Sequence, residues 1–221
     1  MRAALAIVRK DLRIEWRTRE TATTLAVLGV LLVTVLAFAH DPEPEAAPLL
    51  VPAVVWSAMV FTGLLGVERG FLVEREQDCL AGLRGAPIDP TALYLAKLVV
   101  NVLLLGATHA VVVPLSGLFL HVELWSVLPA LALVLFLGTL GFAAVATLFA
   151  FVTVRLRTRQ VMLPLLVLPL LMPLLIAAVK ATEAVLGGTL AVAGEALGVL
   201  VAFDVIFVTA GALLFPAMIN D

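Results

Sequence analysis

Six stretches of this chain are each long and apolar enough to cross a lipid bilayer. They run roughly Thr21–Phe38, Pro48–Val67, Ala92–Leu120, Val127–Val154, Val161–Val179 and Leu197–Ile219. At about 1.5 Å rise per residue, about 20 helical residues cross the hydrocarbon core. Hydrocarbon offers no water to backbone N–H and C=O groups, so only helices and closed barrels can span it. Barrel strands are short and alternate in polarity. These runs are continuously apolar, and the third and fourth are long enough to tilt. Composition agrees: 63% of the 221 residues are hydrophobic, 14% are charged, and the mean hydropathy is +1.16. A soluble domain is about a quarter charged, and a globule of this size could not hide so much apolar surface. The expected fold is all-α, a polytopic membrane protein with six transmembrane helices. Cys79 is the single cysteine, so a disulfide framework is excluded.

Orientation follows from lysine and arginine placement. The first 20 residues hold Arg2, Arg9, Lys10, Arg13, Arg17 and Arg19, whereas the next loop, His40–Ala47, is acidic. Arg69, Arg75 and Arg84 follow the second span; His121–Ser126 after the third has no lysine or arginine. Arg155, Arg157 and Arg159 follow the fourth, and only Lys180 lies after the fifth. This alternation predicts both termini in the cytoplasm. With a net charge of −2 and its basic residues confined to membrane flanks, the chain offers no nucleic-acid footprint. Ala37-Phe38-Ala39 resembles a cleavage site, but the long charged lead and long apolar run read as an uncleaved first span.

Residues 1–20 read as an amphipathic helix in the membrane interface, with 21–221 as the six-span body. Leu5, Val8, Leu12 and Trp16 recur at helical spacing, and Arg9, Arg13 and Arg17 lie on another face. Trp16 suits the headgroup level, and the arginines suit anionic membrane lipid. The segment 68–91 is too polar to span and too short to form a domain. Its charges are mixed, Phe71, Leu72, Leu80 and Leu83 give it apolar anchors, and Gly82, Gly85 and Pro87 end any helix. A docking element for a soluble partner and a solvated hairpin fit this composition equally. Thr182–Ala196, with Gly187-Gly188, reads as either a loop or a short re-entrant helix.

No phosphate loop, H-E-x-x-H, G-x-S-x-G or C-x-x-C occurs, so no enzymatic activity is expected of the chain itself. Polar residues inside spans are costly and mark candidate sites. Asp204 is seven residues into the sixth span, with Lys180 as a plausible ion-pair partner. His109 is 17 residues into the third, about 26 Å along it. It could ligate haem iron, although a hydrogen bond to a neighbouring helix is the favoured expectation. Lys97 is expected to snorkel to headgroups, and Asn101 to bond another helix. Gly138, Gly141, Ala143, Ala144, Ala146 and Thr147 predict close helix approach on the fourth span, with Gly194-x-x-x-Gly198 a weaker pattern. Pro164, Pro169 and Pro173 predict a kinked or locally unwound fifth span.

Three blocks, in order, carry a family resemblance. The first is Val8-Arg9-Lys10-Asp11-Leu12-Arg13-Ile14-Glu15-Trp16-Arg17. The second runs Glu68-Arg69-x-Phe71, Glu74-Arg75-Glu76, Leu80-x-x-Leu83, Pro87 and Tyr94-Leu95-Ala96-Lys97. The third is Leu163-Pro164 through Leu168-Pro169-Leu170-Leu171-Met172-Pro173-Leu174-Leu175-Ile176. Over essentially its full length the chain resembles the cytochrome c maturation protein B family (CcmB), the membrane subunit of a haem-exporter-type ABC transporter. It departs from the family's G-x-L-E-x-L pattern at Asp78 and Ala81, and Ala81 removes a carboxylate.

The resemblance implies an exporter-type permease paired with a separate ATPase subunit (CcmA-like), two copies of each, with ATP held by that partner. By similarity Glu68, Arg69, Phe71, Glu74, Leu80 and Leu83 would meet the ATPase. It also implies a haem-handling membrane protein (CcmC-like), a haem chaperone (CcmE-like), and haem as a cargo of the complex. Two alternatives fit the same residues: an ABC exporter permease for another cargo such as lipid or polysaccharide, and a non-enzymatic scaffold of a haem-handling complex.

Overall fold

The computed structural model describes residues 2–40, 47–76, 89–153 and 159–220. Among them every regular element is helical: α1 (Arg2–Thr18), α2 (Glu20–His40), α3 (Ala47–Glu76), α4 (Pro90–Phe119), α5 (Leu128–Thr153), α6 (Arg159–Leu186) and α7 (Leu190–Asn220). Six of these, α2 to α7, are long and apolar enough to cross a membrane. The chain is an all-α, multi-pass membrane protein. A span can be apolar on all its faces, because its outer side meets lipid rather than water: Phe38, Leu118 and Leu213 point outward.

Two three-helix groups build the bundle. The first is α2, α3 and α4, and the second is α5, α6 and α7. They join through α4 against α5 and α3 against α6, so α3 and α5 are the most enclosed helices. One end of the bundle is defined by cross-helix bonds. Arg69 near the end of α3 lies 3.6 Å from Glu20 at the start of α2, and Thr91 at the start of α4 donates to the Ala212 carbonyl near the end of α7. These contacts place the starts of α2 and α4 with the ends of α3 and α7. This is the basic end of the bundle.

Helix boundaries follow local chemistry. Asp89 caps α4 by accepting from the Thr91 N–H at 3.0 Å, and Pro90 follows at the first helical position, where a missing N–H costs nothing. Helix α4 ends in a Schellman turn: His121 is left-handed (φ 54°), and the Val122 N–H reaches Gly117 O at 2.9 Å. Arg19, with φ 55°, breaks the chain between α1 and α2. The Glu15 carboxylate then caps the first turn of α2 by accepting from the Ala22 N–H at 2.7 Å.

Three expectations need correction. Thr182–Ala196 is neither a loop nor a re-entrant helix. Helix α6 continues to Leu186, a Schellman turn at Gly187-Gly188-Thr189 closes it, and α7 begins at Leu190. Gly188 supplies the left-handed residue (φ 69°), and Thr189 N–H reaches Ala184 O at 2.9 Å. The sixth span accordingly starts well before Leu197. Of the kink or local unwinding expected at Pro164, Pro169 and Pro173, the unwinding is absent, since α6 is helical through all three. Pro169 and Pro173 lie on its exposed side, while Leu163, Val167, Leu171 and Leu174 form the buried stripe.

Small residues on α5 do admit close neighbours. The Trp56 ring of α3 lies against Gly138, and the Tyr94 ring of α4 lies likewise against Gly211 of α7. Gly194 and Gly198 face open space. A Gly138→Leu side chain would have to displace the Trp56 indole, so it should cost about 1–3 kcal/mol. Gly198→Leu should change stability by no more than about 0.5 kcal/mol. Thermal unfolding in detergent checks the contrast: a large drop for the first variant and almost none for the second.

Candidate functional site

Helix α1 is amphipathic as expected, but its inward face differs from the sequence reading. Ile7 is buried against the bundle, with Ala4 and Val8 beside it, and α1 packs mainly on α4. Leu5 and Trp16, placed by spacing on the apolar stripe with Val8 and Leu12, are exposed, Trp16 at 78%. The Arg19 guanidinium stands over the Trp16 ring at 5.8 Å. A single helix thus presents one apolar edge to protein and another outward.

The link between α1 and α4 is ionic. Lys97 Nζ donates to Asp11 Oδ2 at 2.6 Å, and Asp11 Oδ1 also meets Lys10 at 3.0 Å. Lys97 is only 6% exposed. The ammonium ends on an acid of α1, the helix expected to lie at the headgroup level. Sequence spacing could not pair them, because they lie 86 residues apart.

Helix α4 carries further polar ties on successive turns. The Tyr94 hydroxyl donates to Ala144 O at 3.2 Å, and Asn101 Nδ2 donates to Thr147 Oγ1 at 2.8 Å. Both partners lie on α5, so Asn101 bonds another helix as its position suggested. The Tyr94 ring also packs against Phe215 of α7. Thr91, Tyr94, Lys97 and Asn101 together bind the basic end of α4 to α7, α5 and α1.

A second polar layer crosses the bundle toward the opposite end. Trp56 on α3 donates from Nε1 to Thr182 Oγ1 on α6 at 3.0 Å. Its ring meets His109 of α4 edge-on, with centroids 6.0 Å apart. His109 Nδ1 lies 3.2 Å from Thr139 Oγ1 on α5. The favoured hydrogen bond to a neighbouring helix is thus present.

Asp204 sits 14 residues into α7, about 21 Å from that helix's start, which places it near mid-membrane rather than near an end. It is 5% exposed, and its carboxylate faces Gly141, which Leu174 and Phe203 also approach. Lys180 is exposed and does not pair with it; neither Asp204 oxygen has a hydrogen-bond partner among the described residues. The error came from starting the sixth span too late, which put Asp204 level with Lys180.

Of the residues assigned by resemblance to the segment 68–91, Glu68 and Arg69 lie in the last turns of α3 at the basic end. Arg69 donates to Thr24 Oγ1 at 3.1 Å besides its ion pair with Glu20, so part of its capacity is used within the chain. Phe71 and Glu74 are on the helical backbone of α3, but their side chains fall outside the description, and Leu80 and Leu83 lie outside the described residues. Among the described residues no cluster of three or more His, Cys, Asp or Glu could hold a metal ion.

The profile of a family described as CcmB protein matches residues 2–220. Heme exporter protein B of Haemophilus influenzae is 31% identical over 201 residues, covering 86% of this chain and 88% of that protein. The protein of the same name from Bradyrhizobium diazoefficiens is 28% identical over 220 residues, covering 100% of this chain and 98% of its own. That from Paracoccus denitrificans is 29% identical over 178 residues, covering 80% and 81% respectively.

The Asp11–Lys97 pair gives a test of the α1 attachment. Lys97→Met strips a mostly buried acid of its closest cation and leaves it the more exposed Lys10, so it should cost about 3 kcal/mol. Adding Asp11→Leu should restore most of that loss. Thermal unfolding and protease cleavage near α1 report the result; equal damage in the single and double variants would contradict a direct pairing.

Proposed function

The chain belongs to the CcmB family, and from that premise we propose that it is the permease subunit of a haem-exporter-type ABC complex serving cytochrome c biogenesis. The single observation that carries this reading is family membership across residues 2–220, reinforced by relatives named heme exporter protein B that match over nearly their whole length. The activity of the complex is haem export or ATP-driven release of a haem-loaded chaperone. Hydrolysis belongs to a separate CcmA-like ATPase. A CcmC-like membrane protein and a CcmE-like chaperone complete the set, and two copies of this chain sit in the assembly.

Orientation follows the arginines. The basic end faces the cytoplasm of an inner membrane, and both termini lie there. Residues 1–20 form the interfacial helix, and 21–221 form the permease domain. The segment 68–91 is the coupling element, with Glu68, Arg69, Phe71, Glu74, Leu80 and Leu83 against the ATPase.

The bonds on α4 support a route for the push. The segment 68–91 runs from the last turns of α3 to the first turn of α4, so force delivered there acts on both helices. Tyr94 and Asn101 pass it to α5, Thr91 to α7 and Lys97 to α1. The motion is a repacking of α4 with its attached neighbours rather than the bending of a broken α6. Arg69, already bonded to Glu20 and Thr24, holds α2 to the same end.

Reversing both charges, Glu68→Lys with Glu74→Lys, should reduce ATPase co-purification and permease-dependent ATP turnover by about tenfold or more, equivalent to about 1.4 kcal/mol of docking energy. The thermal unfolding of the spans should stay close to that of the parent. Normal coupling in this variant would remove the docking assignment. Deletion of the chain should abolish c-type cytochromes, and their normal accumulation would remove the cargo assignment.

A further inference from the structure

Helix α1 sorts its charges by face. Asp11 is turned toward α4, where it meets Lys97, with Lys10 beside it. Glu15 accepts from the Ala22 N–H, and Glu20 lies beside Arg69. The acids of this region are therefore engaged within the chain. Arg9, Arg13 and Arg17 are exposed, and none of them meets an acid among the described residues. They form a row along the helix, one turn apart, with about 5–6 Å between neighbouring Cβ atoms. Like charges at this spacing repel, and no carboxylate of the chain offsets the repulsion. A row of this kind is completed by an external anion.

The edge beside that row is apolar and uncovered. Leu5 is 70% exposed and Trp16 78%. On a helical projection Leu5, Trp16 and Arg9 fall within about 40° of one another, and Arg13 follows about 40° further round. Cation and apolar edge thus adjoin on one side of α1, away from the face that holds Ile7 and Asp11 against the bundle. Depth follows from the tie to α4. Lys97 is seven residues into that span, about 10 Å from its start. Helix α1 accordingly lies at the level of lipid headgroups and the first carbons of their chains.

We propose that α1 binds an anionic phospholipid of the leaflet on the basic side, with Arg9 and Arg13 holding its phosphate and Leu5 and Trp16 lying against its acyl chains. A guanidinium presents a fork of donors to phosphate oxygens, so two of them one turn apart can share one headgroup. A zwitterionic headgroup brings its own cation to the row, whereas a headgroup of net negative charge relieves the repulsion. Arg17 continues the row and adds attraction to a negatively charged leaflet. Sequence spacing shows the arginines, but only the structure shows that Asp11 and Glu15 are spent on α4 and α2 and do not compete for them. The inference does not depend on the haem-exporter reading.

The purified full chain in phosphatidylcholine nanodiscs, doped with brominated phosphatidylglycerol or with brominated phosphatidylcholine, reads this contact. Bromine quenches a nearby indole, and the part of the quenching that Trp16→Phe removes belongs to Trp16. The parent should reach half-maximal Trp16 quenching at about tenfold less phosphatidylglycerol than phosphatidylcholine. Arg9→Gln with Arg13→Gln should bring the two lipids level. Both arginines are exposed and repel each other, so this variant should unfold no lower than the parent. Lys180→Gln, which removes an exposed cation near the far end of α6, should keep the parent's preference. Equal quenching by the two lipids in the parent overturns the site, as does an undiminished preference in the folded double variant. Loss of ATPase co-purification from the double variant in detergent, with its lipid preference intact, would give the row to the ATPase and overturns the lipid site as well.

Discussion

Hydrocarbon gives a polar group nothing to bond with, and each span must settle its hydrogen bonds from within the chain. The hydroxyls follow this constraint closely. Thr34, Thr62, Thr108, Ser116, Thr139, Thr153 and Thr182 all bond to carbonyls of their own helix, one turn back. Such bonds leave the hydroxyl oxygen free to accept a second partner. Trp56 uses Thr182 in this way, and His109 uses Thr139. Asn101 likewise donates to the oxygen of Thr147. Cross-helix specificity in this bundle is built largely from threonine oxygens that accept from a neighbouring helix.

The same constraint explains the division between the two polar groups of α4. Near the basic end, Lys97 has an acid within reach because α1 packs on α4 and brings Asp11 to it. Toward the other end, His109 meets the neutral Thr139 hydroxyl and the Trp56 ring. A charged pair and an imidazole among neutral partners therefore occupy opposite halves of one helix.

Much of the architecture could be read before the structure. The continuous apolar runs located six spans. The amphipathic pattern of α1 was visible, but its docking edge was not, since Ile7 and Leu5 are equally apolar and only tertiary contact separates them. Asn101 and His109 announced themselves as polar residues in apolar surroundings. Their partners did not, because Thr147 and Thr139 look like ordinary small residues within α5. Asp204 was recognised, yet its depth depended on where α7 begins, and Gly187-Gly188, in a stretch open to reading as a loop or a short re-entrant helix, forms a tight reversal. Leu80 and Leu83 remain known from the sequence pattern alone.

That reversal has a mechanical consequence. Three residues between α6 and α7 can span only about 10 Å even when stretched, and here they are folded into a closed cap. The last two helices are consequently a two-pronged fork. Sliding one prong along the bilayer normal pulls the other with it, while a splaying motion can open their distant ends. Asp204, halfway along one prong and facing Gly141, lies on the seam with α5 that such splaying would disturb.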